Sequence, residues 1–103
     1  MIGIVEERMM EVVALCEKYG VKRLDLFGSA AGDGFDPEVS DLDFVVSFER
    51  RDPPKLFDRY FGLNEDLEGL FGRTVDLVTE DALLKDPNFA EGISGNRVSL
   101  YAA

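Results

Sequence analysis

An α/β fold is predicted by three features of this sequence. Apolar residues recur at helical spacing over residues 4–19, apolar and polar side chains alternate from Asp41 to Phe48 and again from Thr74 to Val78, and a second helical stripe lies between those two segments. Helical and strand periods thus take turns along the chain, the pattern of a sheet with helices packed against it.

The first helix, residues 4–19, carries Val5, Met9, Val12, Cys16 and Tyr19 at alternating steps of four and three, and Gly20 is its stop signal. Cys16 lies within this stripe and reads as a buried structural thiol rather than a reactive one. Val21 to Phe27 is a strand, which Gly28-Ser29-Ala30-Ala31 ends in a tight turn or short helix; Gly32 to Ser40, rich in Gly, Asp and Pro, is a loop. In the strand that follows, Leu42, Phe44, Val46 and Phe48 form one apolar face, and Asp41 and Asp43 lie on the other. Asp52-Pro53 supplies an N-cap and a first-turn proline for a helix marked by Leu56, Tyr60, Leu63, Leu67 and Leu70 and ended by Gly72. In the strand Thr74 to Val78, Val75 and Leu77 face one way and Asp76 and Val78 the other. Asp81 then caps a short helix that Pro87 interrupts, Phe89 and Ile93 stand one helical turn apart, and Val98 to Tyr101 form a terminal strand.

Composition narrows the chemistry. A chain of 103 residues reads as a single domain able to bury a core without disulfides. With 46% apolar and 31% charged residues, its balance is globular rather than disordered or membrane-embedded. No apolar run approaches the ~20 residues that cross a bilayer, and Met1 to Val5 leads into charged helix sequence without a signal-peptide pattern, so a cytoplasmic location is expected. One cysteine and no histidine exclude an internal disulfide, Cys/His metal sites and histidine bases, which leaves carboxylates as metal ligands. The net charge of −10 argues against a chain that grips DNA or RNA directly, and a nucleotide at this surface needs metal ions to offset repulsion. Charges outside the motifs read mainly as solubilising.

Residues i and i+2 of a strand share a face, so Asp41 and Asp43 converge at the leading end of theirs, close to the Gly28-Ser29 turn, and Asp76 brings a third acid to the same surface. The arrangement suits a divalent metal and a nucleoside triphosphate. Gly28 lets the backbone approach phosphates, Ser29 adds a hydroxyl donor, and a following helix aims free amides at the anion. Plainer readings stand beside these: Asp41 with Ser40 ends an acidic loop, and Gly28-Ser29 is an ordinary turn. For Asp43 the plain reading is weaker, because an unpaired charge inside an apolar strand is costly. Asp33, Asp36 and Asp41 do not fit a calcium-binding EF-hand loop. Arg50 and Arg51 read as solvated loop charges, and Arg97 and Tyr101 as structural.

Gly28-Ser29, the spacing to Asp41-x-Asp43, and Asp76 within Val75-Asp76-Leu77-Val78 together resemble the signature of the DNA polymerase beta type nucleotidyltransferase superfamily. The short length and the helix-strand order resemble, more narrowly, its minimal nucleotidyltransferases, the MNT-domain proteins. The resemblance runs from about Leu24 to Val78, with a weaker echo from Arg97 to Tyr101, and its three-part motif is fairly specific where Gly-Ser or Asp-x-Asp alone is not. It implies a nucleotidyltransferase fold: a small mixed sheet of three or four strands with helices packed mainly on one face. It further implies that Asp41 and Asp43 hold two Mg²⁺ ions, that Asp76 is the third ligand and stands near the acceptor hydroxyl as a base, and that Gly28 and Ser29 meet the triphosphate of ATP.

The family context implies transfer of AMP from ATP to a tyrosine of a HEPN-domain toxin, with the chain acting as antitoxin. Many relatives carry arginines after the Gly-Ser pair, where this chain has Ala30, Ala31, Gly32 and Asp33. That departure keeps an alternative in view, an antitoxin that neutralises its partner by contact with a degenerate nucleotide site. A third reading, transfer to a small molecule such as an aminoglycoside, is disfavoured because such enzymes usually carry a further helical domain.

Overall fold

The computed structural model describes residues 3–27, 42–50, 55–85 and 97–103. In chain order these form α1 (Gly3–Glu6), α2 (Met9–Lys18), β1 (Val21–Phe27), β2 (Leu42–Phe48), α3 (Leu56–Phe71), β3 (Val75–Thr79), α4 (Glu80–Leu84) and β4 (Arg97–Ala102). One mixed sheet has the order β3-β2-β1-β4, with β1 antiparallel to both β2 and β4 and β2 parallel to β3. The residues expected to form a turn at Gly28 to Ala31 and a loop from Gly32 to Ser40, together with Asp41, Arg51, Asp52-Pro53, Pro87, Phe89 and Ile93, lie outside the described residues.

The expected first helix is divided in two. Arg8 N–H reaches back three residues to the Val5 carbonyl (3.1 Å), a tighter step than the α-helical four, before α2 begins at Met9. The apolar stripe nevertheless stays on one side: Val5, Val12 and Cys16 are buried, with Met9 and Tyr19 packed against them. Burial pushes the Cys16 thiol up to about 12, which keeps it protonated and a poor nucleophile, in line with the structural reading.

α3 packs against the same core, burying Leu63, Leu67 and Phe71, with Tyr60 and Leu70 partly covered. Each fully buried leucine contributes about 1.5–3 kcal/mol from area alone. Leu56, expected in this stripe, is instead 53% exposed at the first position of the helix, where it lines an open groove with Phe57, Leu77 and Thr79 rather than the core. Gly72 ends α3 at φ 64°, the left-handed conformation that needs no Cβ. Thr79, rather than the expected Asp81, caps α4, its hydroxyl accepting from Ala82 N–H at 3.2 Å.

The layer of α1, α2 and α3 covers the face formed by Leu24, Leu26, Leu42, Phe44, Val46, Val75 and Leu77. α4 lies over the other face, where Leu83 packs with Phe27, Val45 and Val78. A bulge after Val21 explains why both Val21 and Leu24 reach the main core despite their odd spacing: the pairing to β2 skips Lys22. No helix among the described residues is long and apolar enough to cross a membrane.

The outer edge of β3 is covered by side chains of α3. Val75 N–H donates to Glu68 Oε2 (3.1 Å), and the Tyr60 hydroxyl donates to the Leu77 carbonyl, so two outward-facing backbone groups of this edge are satisfied.

Where α2 and α3 pass each other, Gly62 permits close approach. A Cβ there would stand 2.6 Å from Cε1 of Tyr19. That ring is tethered by its hydroxyl, which donates to Asp66 Oδ2 at 2.5 Å. Gly62→Ala is therefore expected to destabilise the protein by about 1 kcal/mol in urea unfolding, even though alanine gains roughly that much in helix propensity. A variant more stable than the parent would show that the Tyr19 ring yields freely.

Candidate active site

Four strands place Asp43 and Asp76 in one transverse row with Phe27 and Arg97. Phe27 of β1 pairs with Asp43 of β2, Asp43 pairs with Asp76 of β3, and on the far side Phe27 pairs with Arg97 of β4. All four belong to the face opposite the main core. Asp43 alternates with the buried Leu42 and Phe44, and Asp76 with Val75 and Leu77. Asp43 is half-buried and Asp76 exposed.

The parallel register therefore sets two carboxylates side by side on strands that run roughly 4.8 Å apart. Like charges directly opposed in a sheet are destabilising. A bound divalent cation turns that repulsion into attraction, and hard carboxylate oxygens are the ligands that Mg²⁺ prefers. The pair thus fits the metal expected from the sequence. Among the described residues no three acidic, cysteine or histidine side chains converge closely enough to hold an ion. The remaining expected ligand, Asp41, and the expected phosphate contacts, Gly28 and Ser29, lie outside the described residues; the ends of β1 and the start of β2 that flank them meet at the Phe27–Asp43 pair.

One row further in lies a feature that sequence reasoning passed over. Asp25 is fully buried on this same face and accepts from Arg97 Nε (2.5 Å) and Arg23 Nε (3.1 Å). Arg97 also donates from Nη2 to Glu80 Oε2 (2.5 Å), tying β4 to the first residue of α4. Burial by itself lowers the Arg97 pKa, but the bonds to Glu80 and Asp25 outweigh it and hold the guanidinium above its ordinary value. Arg97 is structural, as the sequence indicated, and its partner is the surprise. The available signal was the one used for Asp43: an acid inside the apolar run Leu24 to Phe27 needs a partner.

Tyr60 links the row to α3. Burial and then the charge of Asp76 raise its phenol pKa, which places the ring within the field of that carboxylate. A larger concavity, of about 1010 Å³, opens at the opposite end of the sheet among Lys22, Arg23, Arg50, Lys55 and Arg59. Neither Asp43 nor Asp76 lines it, so size alone does not make it the reaction site.

Comparison with known proteins gives the geometry its context. The model of the family described as Nucleotidyltransferase domain matches residues 12–99. The chain is 41% identical over 69 residues to the protein adenylyltransferase MntA of Thermococcus cleftensis, covering 67% of this chain and 66% of that relative, just under two thirds of its length. A solved structure provisionally described as a minimal nucleotidyltransferase superposes with a TM-score of 0.71 at 34% identity, covering 91% of this chain and 90% of the other. A tri-AMPylated HEPN toxin of Shewanella oneidensis in complex with its MNT antitoxin is similar in fold, with a TM-score of 0.63 at 16% identity over 95% of this chain and 72% of that one.

Proposed function

Because this chain belongs to the nucleotidyltransferase domain family, a family of enzymes, we propose that it moves AMP from ATP to a hydroxyl of a partner protein and thereby acts as an antitoxin in the cytoplasm. The acceptor we favour is a tyrosine of a HEPN-domain toxin, as the names of the similar adenylyltransferase and of the similar toxin-bound antitoxin suggest. The observation that carries the reading is the Asp43–Asp76 pair, two opposed carboxylates that the sheet register holds at the mouth of β2.

In this reading Asp43 and Asp76, with Asp41, hold Mg²⁺, which supplies positive charge against the triphosphate and the departing pyrophosphate. The acceptor oxygen bonds to the α-phosphorus, the bond from that phosphorus to the β-phosphate bridge breaks, and pyrophosphate leaves. Asp76 is suited to take the acceptor's proton, since it is exposed on the edge strand and open to a large partner. Gly28 and Ser29 are proposed to meet the phosphates.

Contact neutralisation without transfer is the second reading, favoured by Ala30, Ala31, Gly32 and Asp33 where arginines commonly stand. Incubation with Mg²⁺, a HEPN-domain protein and ATP labelled at the α-phosphate separates the two. Transfer predicts label on a tyrosine of that protein and none from γ-labelled ATP. A stable complex that neutralises the toxin without label selects contact alone, and neither complex nor label removes the antitoxin role.

A further inference from the structure

Three of the four large hydrophobic side chains that stand exposed among the described residues gather at the start of α3: Leu56 is 53%, Phe57 69% and Phe61 50% exposed. Phe57 and Phe61 lie one helical turn apart with ring centroids 4.6 Å apart, and Tyr60 meets Phe61 edge-on at 5.2 Å. Exposure of aromatic rings together in this way is costly in water unless something covers them. They form one wall of a groove of about 600 Å³ that straddles the β3 edge, with Leu77, Val78 and Thr79 as floor and Ala82 of α4 on the opposite wall.

Two facts identify the occupant. The groove is continuous with the candidate site, because Val78 on its floor shares a sheet face with Asp76 two residues earlier, and Tyr60 in its wall feels the Asp76 charge. Exposed acids stand on each of the three elements that line it, Asp58 on α3, Asp76 on β3 and Asp81 on α4, with Lys55 and Lys85 as the exposed cations at the ends of the two helices. A second copy docked symmetrically would set these acids against themselves, on chains that each carry −10. Strand addition is also disfavoured, since Glu68 and Tyr60 already occupy outward backbone groups of β3.

We propose that this groove docks an apolar segment of the acceptor protein flanked by Lys or Arg, so that a hydroxyl carried beside that segment is delivered to Asp76. The inference rests on the transfer reading for its purpose, although not for its test. Apolar side chains of the acceptor fill the groove beside Phe57 and Phe61, and its cations meet Asp58 and Asp81. The surface thus selects the acceptor by features outside the reacting hydroxyl.

The probes are two labelled amphipathic helical peptides of equal length, one of Leu and Lys and one of Leu and Glu, titrated by fluorescence anisotropy into the parent and into Phe57→Asp/Phe61→Asp. Both phenylalanines are exposed, so the variant should fold as the parent does by circular dichroism. The Leu/Lys peptide is expected to bind the parent, and both the variant and the Leu/Glu peptide should lower affinity by about tenfold or more. Equal or tighter binding to the variant would reveal attraction to net charge alone and overturn the proposal. So would a parent dimer, seen by sedimentation, that the substitutions dissociate. Binding of a nonhydrolysable ATP analogue with Mg²⁺ is measured on the same samples and should be unchanged by the substitutions. Its absence from the parent would overturn the transfer reading while the peptide result still decides the groove.

Discussion

Replacing Asp43 with asparagine is expected to lower adenylyl transfer by more than about 100-fold while leaving the metal-free protein as stable as before, or slightly more stable. The rate follows from the role proposed for the carboxylate. Even residues that only orient a metal ligand cost 10–100-fold when removed, so loss of a ligand itself exceeds that range. The stability follows from the register, because Asp43 faces Asp76 across β2 and β3 and neutralising one acid relieves their repulsion, by roughly 0.5 kcal/mol. Added Mg²⁺ should raise the melting temperature of the parent by mass action and leave the variant unmoved. Single-turnover assays with α-labelled ATP and thermal unfolding with and without Mg²⁺ measure the two quantities separately. Full activity in the variant would remove Asp43 from the site, and a fall in metal-free stability would show the pair to be structural.

The second large effect belongs to Asp25. Asp25→Ala leaves Arg97 and Arg23 without their shared carboxylate in a region where Asp25 itself is fully buried and the Arg97 side chain only 21% exposed. Removing one partner of a buried pair typically costs about 3–5 kcal/mol, a large share of the ~5–15 kcal/mol that holds such a domain together. Arg97 also joins β4 to α4 through Glu80, so the loss should loosen the cover over the second sheet face as well. Urea unfolding of Asp25→Ala beside Arg97→Ala and the double variant would measure this. We expect the double variant to be less destabilised than the sum of the singles, whereas additive costs would mean that the two groups do not depend on each other.

Much of the fold was legible because period and punctuation agreed. β1 was bounded at Val21 and Phe27 as observed, the αL glycine at Gly72 ended α3, and alternation assigned Asp43 and Asp76 to the face away from the core. The neighbouring strands' pairing was less legible: alternation orients a side chain within its own strand but does not say which strand lies next to it. The Asp43–Asp76 register rested on resemblance until the parallel pairing of β2 and β3 was in view. Local signals also missed the break between α1 and α2, where no glycine or proline intervenes. Leu56 failed as a core residue because periodicity describes a helix without saying where the surface that covers it ends. The need of Asp25 for a partner was legible too, since its setting in β1 matches that of Asp43 in β2.

The parallel pairing of β2 with β3 has a consequence for how the protein comes to life. Antiparallel neighbours can meet through a short reversal, but parallel ones cannot pair until the connection between them has crossed the sheet, and here that connection contains all of α3. Long-range closures of this kind are among the slower events of folding, well behind the helix formation that precedes them. Asp43 and Asp76 are therefore strangers in every partly folded form that lacks this closure, however much helix it contains. Recovery of activity during refolding thus reports this closure, and a helix signal read at the same moment would run ahead of it.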